Sequence, residues 1–176
     1  MEEIRVNRLP AITWRYLHVN DSPDQFEFPG SSASAVFSDK RYVSEGGTLP
    51  ADFCGASAET LAAAEKGQAY TVIIPENTEA ELTISITAEE DRPDFAGCFI
   101  FKLEKGAKLN LIWRLSGDRK HSVFATASFY ELMKNAALSV SYLETGLPAS
   151  SLYEQRYAVL GNDAKLDFVS AELGGE

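Results

Sequence analysis

From Tyr70 onward, apolar and polar residues alternate with a period of two, and the alternation comes in blocks. Leu109, Leu111 and Trp113 form one apolar series, Leu138, Val140 and Tyr142 a second, and Leu166 and Phe168 a third, with Asn110, Ser139 and Asp167 among the polar positions between them. Period two places successive side chains on opposite faces, so each block predicts a strand with one buried face. The same lead-in precedes every block. Residues 103–111, 132–140 and 160–168 all read leucine, three mostly polar or turn-forming residues, alanine, any residue, leucine, polar, apolar. A looser copy spans residues 75–86, with Leu82, Ile84 and Ile86 as its apolar series. The anchoring alanines Ala80, Ala107, Ala136 and Ala164 lie at intervals of 27, 29 and 28, the near-constant spacing of a repeat architecture. Gly106, Asn135 and Asn162-Asp163 supply the turns, because Gly, Asn and Asp tolerate positive φ.

One such unit cannot bury its own apolar face. Stacking units at a strand spacing of ~4.8 Å puts like residues over like and closes a core. The expected fold is therefore mainly β, a right-handed parallel β-helix of stacked coils with a sequence repeat of about 28 residues. The alanine is expected to face inward at a corner too tight for a larger side chain. Sandwiches and barrels also use short alternating strands, but they rarely hold an in-phase Ala-x-Leu-x-apolar pattern at fixed period.

The β-helix domain is assigned to residues 71–176, preceded over residues 1–70 by an irregular segment with one or two short helices. Residues 8–17 mix apolar and basic positions around Pro10 with no sustained period, and Thr13 would cap a short helical turn that Asn20-Asp21-Ser22-Pro23 breaks. Residues 26–50 are rich in Ser, Gly and Asp and read as surface loops. A helix follows. Ser57 is its cap, Glu59 suits the first turn, Leu61-Ala62-Ala63-Ala64 are strong helix formers, Lys66 suits the last turn and Gly67 is the expected left-handed stop.

A net charge of −10 argues against nucleic acid and anionic membrane surfaces as partners, since both call for clustered Lys and Arg. No apolar run approaches the ~20 residues of a membrane span, and the start lacks a basic-then-apolar leader, so the expected compartment is the cytoplasm. The two cysteines, Cys54 and Cys98, form no Cys-x-x-Cys pair, which indicates neither a disulfide framework nor a zinc knuckle.

Cys54, in a loop before the helix, would serve as a soft iron ligand or sulfur acceptor, but a small half-buried residue beside Phe53 is the simpler reading. Cys98, in the apolar run Cys98-Phe99-Ile100-Phe101, reads as packing. His18 and His121 lie in unrelated segments and lack a third ligand. Glu89-Glu90-Asp91 and Glu104 suggest paired carboxylates, yet the run reads as a solvated turn before Arg92-Pro93. Gly46-Gly47 and Gly174-Gly175 lack the strand and helix context of a phosphate cradle. Trp113, Tyr142 and Phe168 share the inward phase and read as core.

The stretch Glu154-Gln155-Arg156-Tyr157-Ala158-Val159-Leu160-Gly161-Asn162-Asp163-Ala164-Lys165-Leu166-Asp167 resembles the SufB/SufD family of iron–sulfur cluster assembly proteins. So does the close Glu172-Leu173-Gly174-Gly175, and the opening Val6-Asn7-Arg8-Leu9-Pro10-Ala11-Ile12-Thr13-Trp14 is similar to the SufD-type start. The resemblance implies a right-handed parallel β-helix core within a complex that contains a SufB-like sister protein and a SufC-like ATPase, and that handles iron–sulfur clusters and ATP. Family members continue past the Gly-Gly with more coils and a helical segment that docks the ATPase. The cysteine and histidine tied to cluster formation lie in that later part. No catalytic, cofactor-binding or metal residue is therefore assigned here, no cofactor is expected on this chain alone, and the β-helix domain is read as truncated at its C-terminal end. The resulting expectation is a non-enzymatic scaffold that binds partners, or itself, through an open last coil. The alternative is a β-helix carbohydrate-active enzyme or glycan-binding module.

Overall fold

A computed structural model describes residues 2–6, 22–28, 30–53, 57–117, 122–146 and 150–173. Thr13, singled out above as a helix cap, lies outside them. In chain order the first elements are β1 (Glu2–Val6), β2 (Ser22–Phe26), β3 (Ala35–Phe37), β4 (Val43–Glu45) and α1 (Ala58–Lys66). The long strands follow: β5 (Gln68–Ile74), β6 (Glu79–Ala88), β7 (Phe95–Leu103) and β8 (Lys108–Gly117). The last four are β9 (Val123–Leu132), β10 (Ala137–Thr145), β11 (Ser151–Leu160) and β12 (Lys165–Leu173).

Strands β5 to β12 form a parallel β-solenoid. They alternate between two sheets of order β12-β10-β8-β6-β3 and β11-β9-β7-β5-β4, so each coil contributes one strand to each sheet. All neighbours among these eight strands are parallel. The pairings Glu79↔Lys108 and Lys108↔Ala137 step by 29 residues, and Ala137↔Lys165 by 28. The mainly β, stacked-coil fold expected from the sequence is the one the chain adopts.

The turns before β6, β8, β10 and β12 share one geometry. In each, an N–H closes back three residues: Thr78 to Pro75, Ala107 to Glu104, Ala136 to Met133 and Ala164 to Gly161. The third residue of each turn is left-handed, at Asn77 (φ 55°), Gly106 (φ 67°), Asn135 (φ 61°) and Asp163 (φ 59°). At Gly106 a second constraint acts, because a Cβ there would lie 2.5 Å from the Asn77 carboxamide oxygen. Successive turns are also bonded to one another, Asn77 N–H to Lys105 O, Gly106 N–H to Lys134 O and Asn135 N–H to Asn162 O.

These turns correct the register of the first copy. Ala107, Ala136 and Ala164 do stack, through Ala137 N–H to Ala107 O and Lys165 N–H to Ala136 O, and Ala107 and Ala136 are buried. The residue over Ala107 is Thr78, whose carbonyl accepts from Lys108 N–H. Ala80 pairs with Leu109 instead. A slip of two residues keeps every side chain on its face, so alternation alone could not tell the two registers apart.

The lumen is filled from both sheets. One inward column is Leu82, Leu111, Val140, Phe168 and the next is Ile84, Trp113, Tyr142, Ser170. Facing them are Val72, Phe101, Tyr130, Ala158 and Tyr70, Phe99, Ser128, Arg156. Aromatic rings fill the middle coils, with Phe99 edge-on to Trp113 at 4.6 Å and Phe101 stacked on Tyr130 at 5.1 Å.

One end of the solenoid carries two short added strands. β3 and β4 lie antiparallel along β6 and β5, inside the span read as surface loops. Phe37 on β3 packs edge-on against Tyr70 at 4.8 Å. Gln68 ties the segment down, its amide donating to Ala33 O and its carbonyl accepting from the Tyr70 hydroxyl, each at 2.7 Å. Burial and the nearby Glu45 charge raise the Tyr70 pKa.

The outer face of the second sheet is covered too. Ser57 caps α1 by accepting from Thr60 N–H at 3.1 Å. Leu49, Phe53 and Ala64 then pack over Cys98, Ile100, Ala127 and Phe129. Gly67 is not the expected left-handed stop, since it sits at φ −83° and leads straight into β5. Its lack of a side chain is required by contact instead, because a Cβ there would run into the Ala96 carbonyl.

Candidate functional site

Cys54, His18, His121, Gly174 and Gly175 lie outside the described residues. Cys98 projects from the solenoid toward α1 and is buried. Burial first, and the Glu65 charge second, push its thiol up to about 12, so at neutral pH it is a protonated packing residue rather than a nucleophile. Glu89-Glu90-Asp91 forms a tight turn closed by the Glu89↔Arg92 bridge and by an ion pair between those two side chains. The Glu104 carboxylate accepts the Glu76 N–H of the neighbouring turn at 3.1 Å, a link between coils. Gly46 accepts from the Thr71 hydroxyl at 2.8 Å. Trp113 and Tyr142 are buried in the lumen, and Phe168 packs against the same core, half exposed at the last coil. Among the described residues, no three His, Cys, Asp or Glu side chains gather as a metal site would require, and no helix is long and apolar enough to cross a membrane.

The most distinctive chemistry lies at the end opposite β3 and β4. There, among the described residues, β11 and β12 end the two sheets, as β3 and β4 do at the other end. Leu152 and Ala158 of β11 face the lumen, whereas Tyr157 packs on the outer cluster. By the same alternation Glu154 and Arg156 face the lumen as well. The two form a forked pair, Arg156 Nε donating to Glu154 Oε1 at 2.8 Å and the terminal nitrogen to the other oxygen. Glu154 is the better buried, its side chain 11% exposed against 34% for Arg156. The guanidinium lies over two rings of the opposite sheet, 5.2 Å from the Tyr142 centroid and 4.0 Å from that of Phe168.

The lumen therefore changes character along its axis, since Tyr70 and Phe99 of the first coils are succeeded in their column by Ser128 and Arg156. Around this polar end the apolar side chains thin out. Leu160, Val169 and Leu173 are 49, 67 and 63% exposed. The ion pair thus lies on aromatic rings between β11 and β12, the strands that end the two sheets among the described residues. Sequence reasoning placed Glu154 and Arg156 only inside a resembling stretch. Their inward phase was available by counting back in twos from Leu160.

Comparisons with family models, with curated proteins and with solved structures find no match for this chain.

Proposed function

We propose that this chain is a non-enzymatic scaffold of the SufB/SufD type, acting in iron–sulfur cluster assembly by adding a partner's strands to β11 and β12. The observation that carries the reading is the asymmetry of the two ends: the sheets end in antiparallel strands of 3 residues each, β3 and β4, at one, and in parallel strands of 10 and 9 residues, β11 and β12, at the other. Unpaired parallel edges of this length are templates for β-augmentation, in which main-chain bonds give affinity and side-chain columns give register. The assignment to cluster assembly rests on the sequence resemblance around residues 154–167, which covers β11 and the turn into β12. The partners it names are a SufB-like sister protein and a SufC-like ATPase, with self-association as a further use of the same edge.

A glycan-binding face would need aromatic or paired acidic side chains outward on successive coils. The outward column Glu81, Asn110, Ser139, Asp167 carries acids only at its two ends, and the outward positions of β6, β8, β10 and β12 include no aromatic residue.

Light scattering combined with pull-down against the sister protein and the ATPase tests the proposal. Association with either one, competed by a second copy of the chain, is the expected result. A chain that stays monomeric and captures neither overturns it.

A further inference from the structure

One irregular segment of the chain reaches across three successive coils of the second sheet, from β7 over β9 to β11. It leaves β4 through Gly46 and Gly47, at φ 92° and 135°. A Cβ on Gly47 would lie 2.4 Å from the Thr71 hydroxyl oxygen and 2.8 Å from Ile100 Cδ1, so only glycine lets the backbone turn this closely onto the sheet. Leu49 and Phe53 are buried in the cluster that holds Ile100 of β7 and Phe129 of β9. The Phe53 N–H closes on Pro50 O at 2.9 Å, and this turn presents Asp52 and Phe53 to β11. There the Phe53 ring meets Tyr157 edge-on at 6.0 Å, and the Tyr157 hydroxyl donates to Asp52 Oδ2 at 3.3 Å.

These contacts do not weigh equally on the three strands. β9 runs between β7 and β11 and is buried along most of its length. Among the described residues β11 is bonded to β9 alone, and Gln155 is its one buried residue. Tyr157 packs on Phe129 of β9 at 5.8 Å as well, so its ring joins the segment to both strands. We propose that residues 47–53 act as a strap that latches β11 onto β9, with Tyr157 as the catch, so that release of either one loosens the other.

The strap contains neither helix nor strand, and Asp52 is exposed at its far end. Side-chain contacts rather than a ladder of main-chain bonds therefore hold it down, and a unit of this kind opens without unfolding the coils beneath it. Coupling between two sites acts in both directions. Opening the strap uncovers Tyr157, and loosening β11 removes the last anchor of the strap. A polypeptide paired with β11 would tighten the strap for the same reason. That consequence rests on the scaffold reading, whereas the latch itself concerns contacts within this chain alone.

Amide hydrogen exchange on the full chain, followed residue by residue by NMR, tests the latch from both sides. Phe53→Ala is expected to speed exchange of the β11 amides by about tenfold, while those of β5 and β6 change by less than about twofold. Tyr157→Phe keeps the ring and removes the bond to Asp52, so it should give a smaller rise confined to β11 and the Phe53 amide. Arg156→Ala loosens β11 from within the lumen, whereas the strap lies outside it, and it too should speed exchange of the Phe53 amide. β11 amides that keep wild-type rates in Phe53→Ala overturn the proposal, and so does a uniform rise from β5 to β12, which means a general loss of stability. Should Phe53→Ala fail to fold, the other two variants decide, and an unchanged Phe53 amide in both overturns the latch.

Discussion

The guanidinium of Arg156 on β11 lies 4.0 Å from the centroid of Phe168 on β12, so one side chain spans the lumen between the two edge strands. A flat, weakly hydrated cation covers a ring face that edge position would otherwise leave wet. Glu154 holds that cation in place. Arg156→Ala is expected to lower stability by about 1–3 kcal/mol, through the lost ring contacts and the lost forked bond to Glu154. Arg156→Lys should recover part of the loss at most, since a point charge cannot form the fork. Urea unfolding with ANS fluorescence reads both, and the Ala variant should bind more dye.

Gly106 sits under two constraints that a double-mutant cycle separates. Gly106→Ala pays for a left-handed backbone at φ 67° and for collision with Asn77 Oδ1, together about 1–3 kcal/mol. Removing the carboxamide with Asn77→Gly should restore only the collision part. The two substitutions are thus expected to be non-additive in denaturant midpoints, with the double variant more stable than the sum predicts.

The same turn explains what could be read in advance and what could not. The Ala107, Ala136, Ala164 column was legible because alanine, turn residue and leucine recur together. The first coil was misread by two residues, because alternation is blind to an even slip and Ala80 imitated the anchor. Aligning Asn77 with Gly106 would have found the register, since a left-handed residue is needed once per turn. The second sheet was harder to see as a repeat. In β7, inward Phe99 and Phe101 alternate with Cys98 and Ile100 buried under Leu49, Phe53 and Ala64, so coverage of both faces erased the period. β3 and β4, at three residues each, are too short to show one. Arg156 and Glu154 drew no reading of their own, because charged residues rarely face a lumen.

The Ser57 cap should control access to Cys98. Its Oγ satisfies the Thr60 N–H, and the helix it starts helps to cover the thiol. Ser57→Ala costs a helix about 1 kcal/mol. If α1 lifts away as a local unit, the open population rises about fivefold, and so should the native alkylation rate of Cys98. Iodoacetamide labelling followed by mass spectrometry measures it, with global stability falling by no more than the cap's worth.

Cys98 also predicts an alkaline limit. Its thiol is raised in the fold from 9.0 to about 12, so above pH 9 the unfolded chain releases a proton that the folded chain keeps. The stability linked to this thiol is complete below pH 9 and is lost as pH climbs toward 12. Cys98→Ala removes the titration and matches Ala69 and Ala127, its neighbours in the column. Between pH 9 and 11, wild-type stability should therefore fall more steeply than the variant's, by up to about 1.4 kcal/mol per pH unit. Raised tyrosines such as Tyr70 titrate in both proteins and cancel in the difference. Parallel curves would show that the thiol ionises as freely in the fold as outside it.

Edge charge offers the sharpest separation of the two solenoid ends. Val169 and Leu173 alternate with inward Phe168 on β12 and are 67 and 63% exposed, and Val36 on β3 at the other end is 63% exposed. Lysine on an edge strand blocks strand addition, because a second strand must desolvate or clash with it. At such exposed positions it should change stability by no more than about 0.5 kcal/mol. The pair Val169→Lys and Leu173→Lys is therefore expected to weaken association with partner strands by tenfold or more at unchanged melting temperature. Val36→Lys adds the same charge to an equally exposed valine yet should leave association intact, because β3 belongs to the opposite end. Light scattering and pull-down on the three proteins distinguish edge pairing from general stickiness: equal losses at both ends would mean that exposed apolar surface, and not the β11–β12 edge, drives the contact.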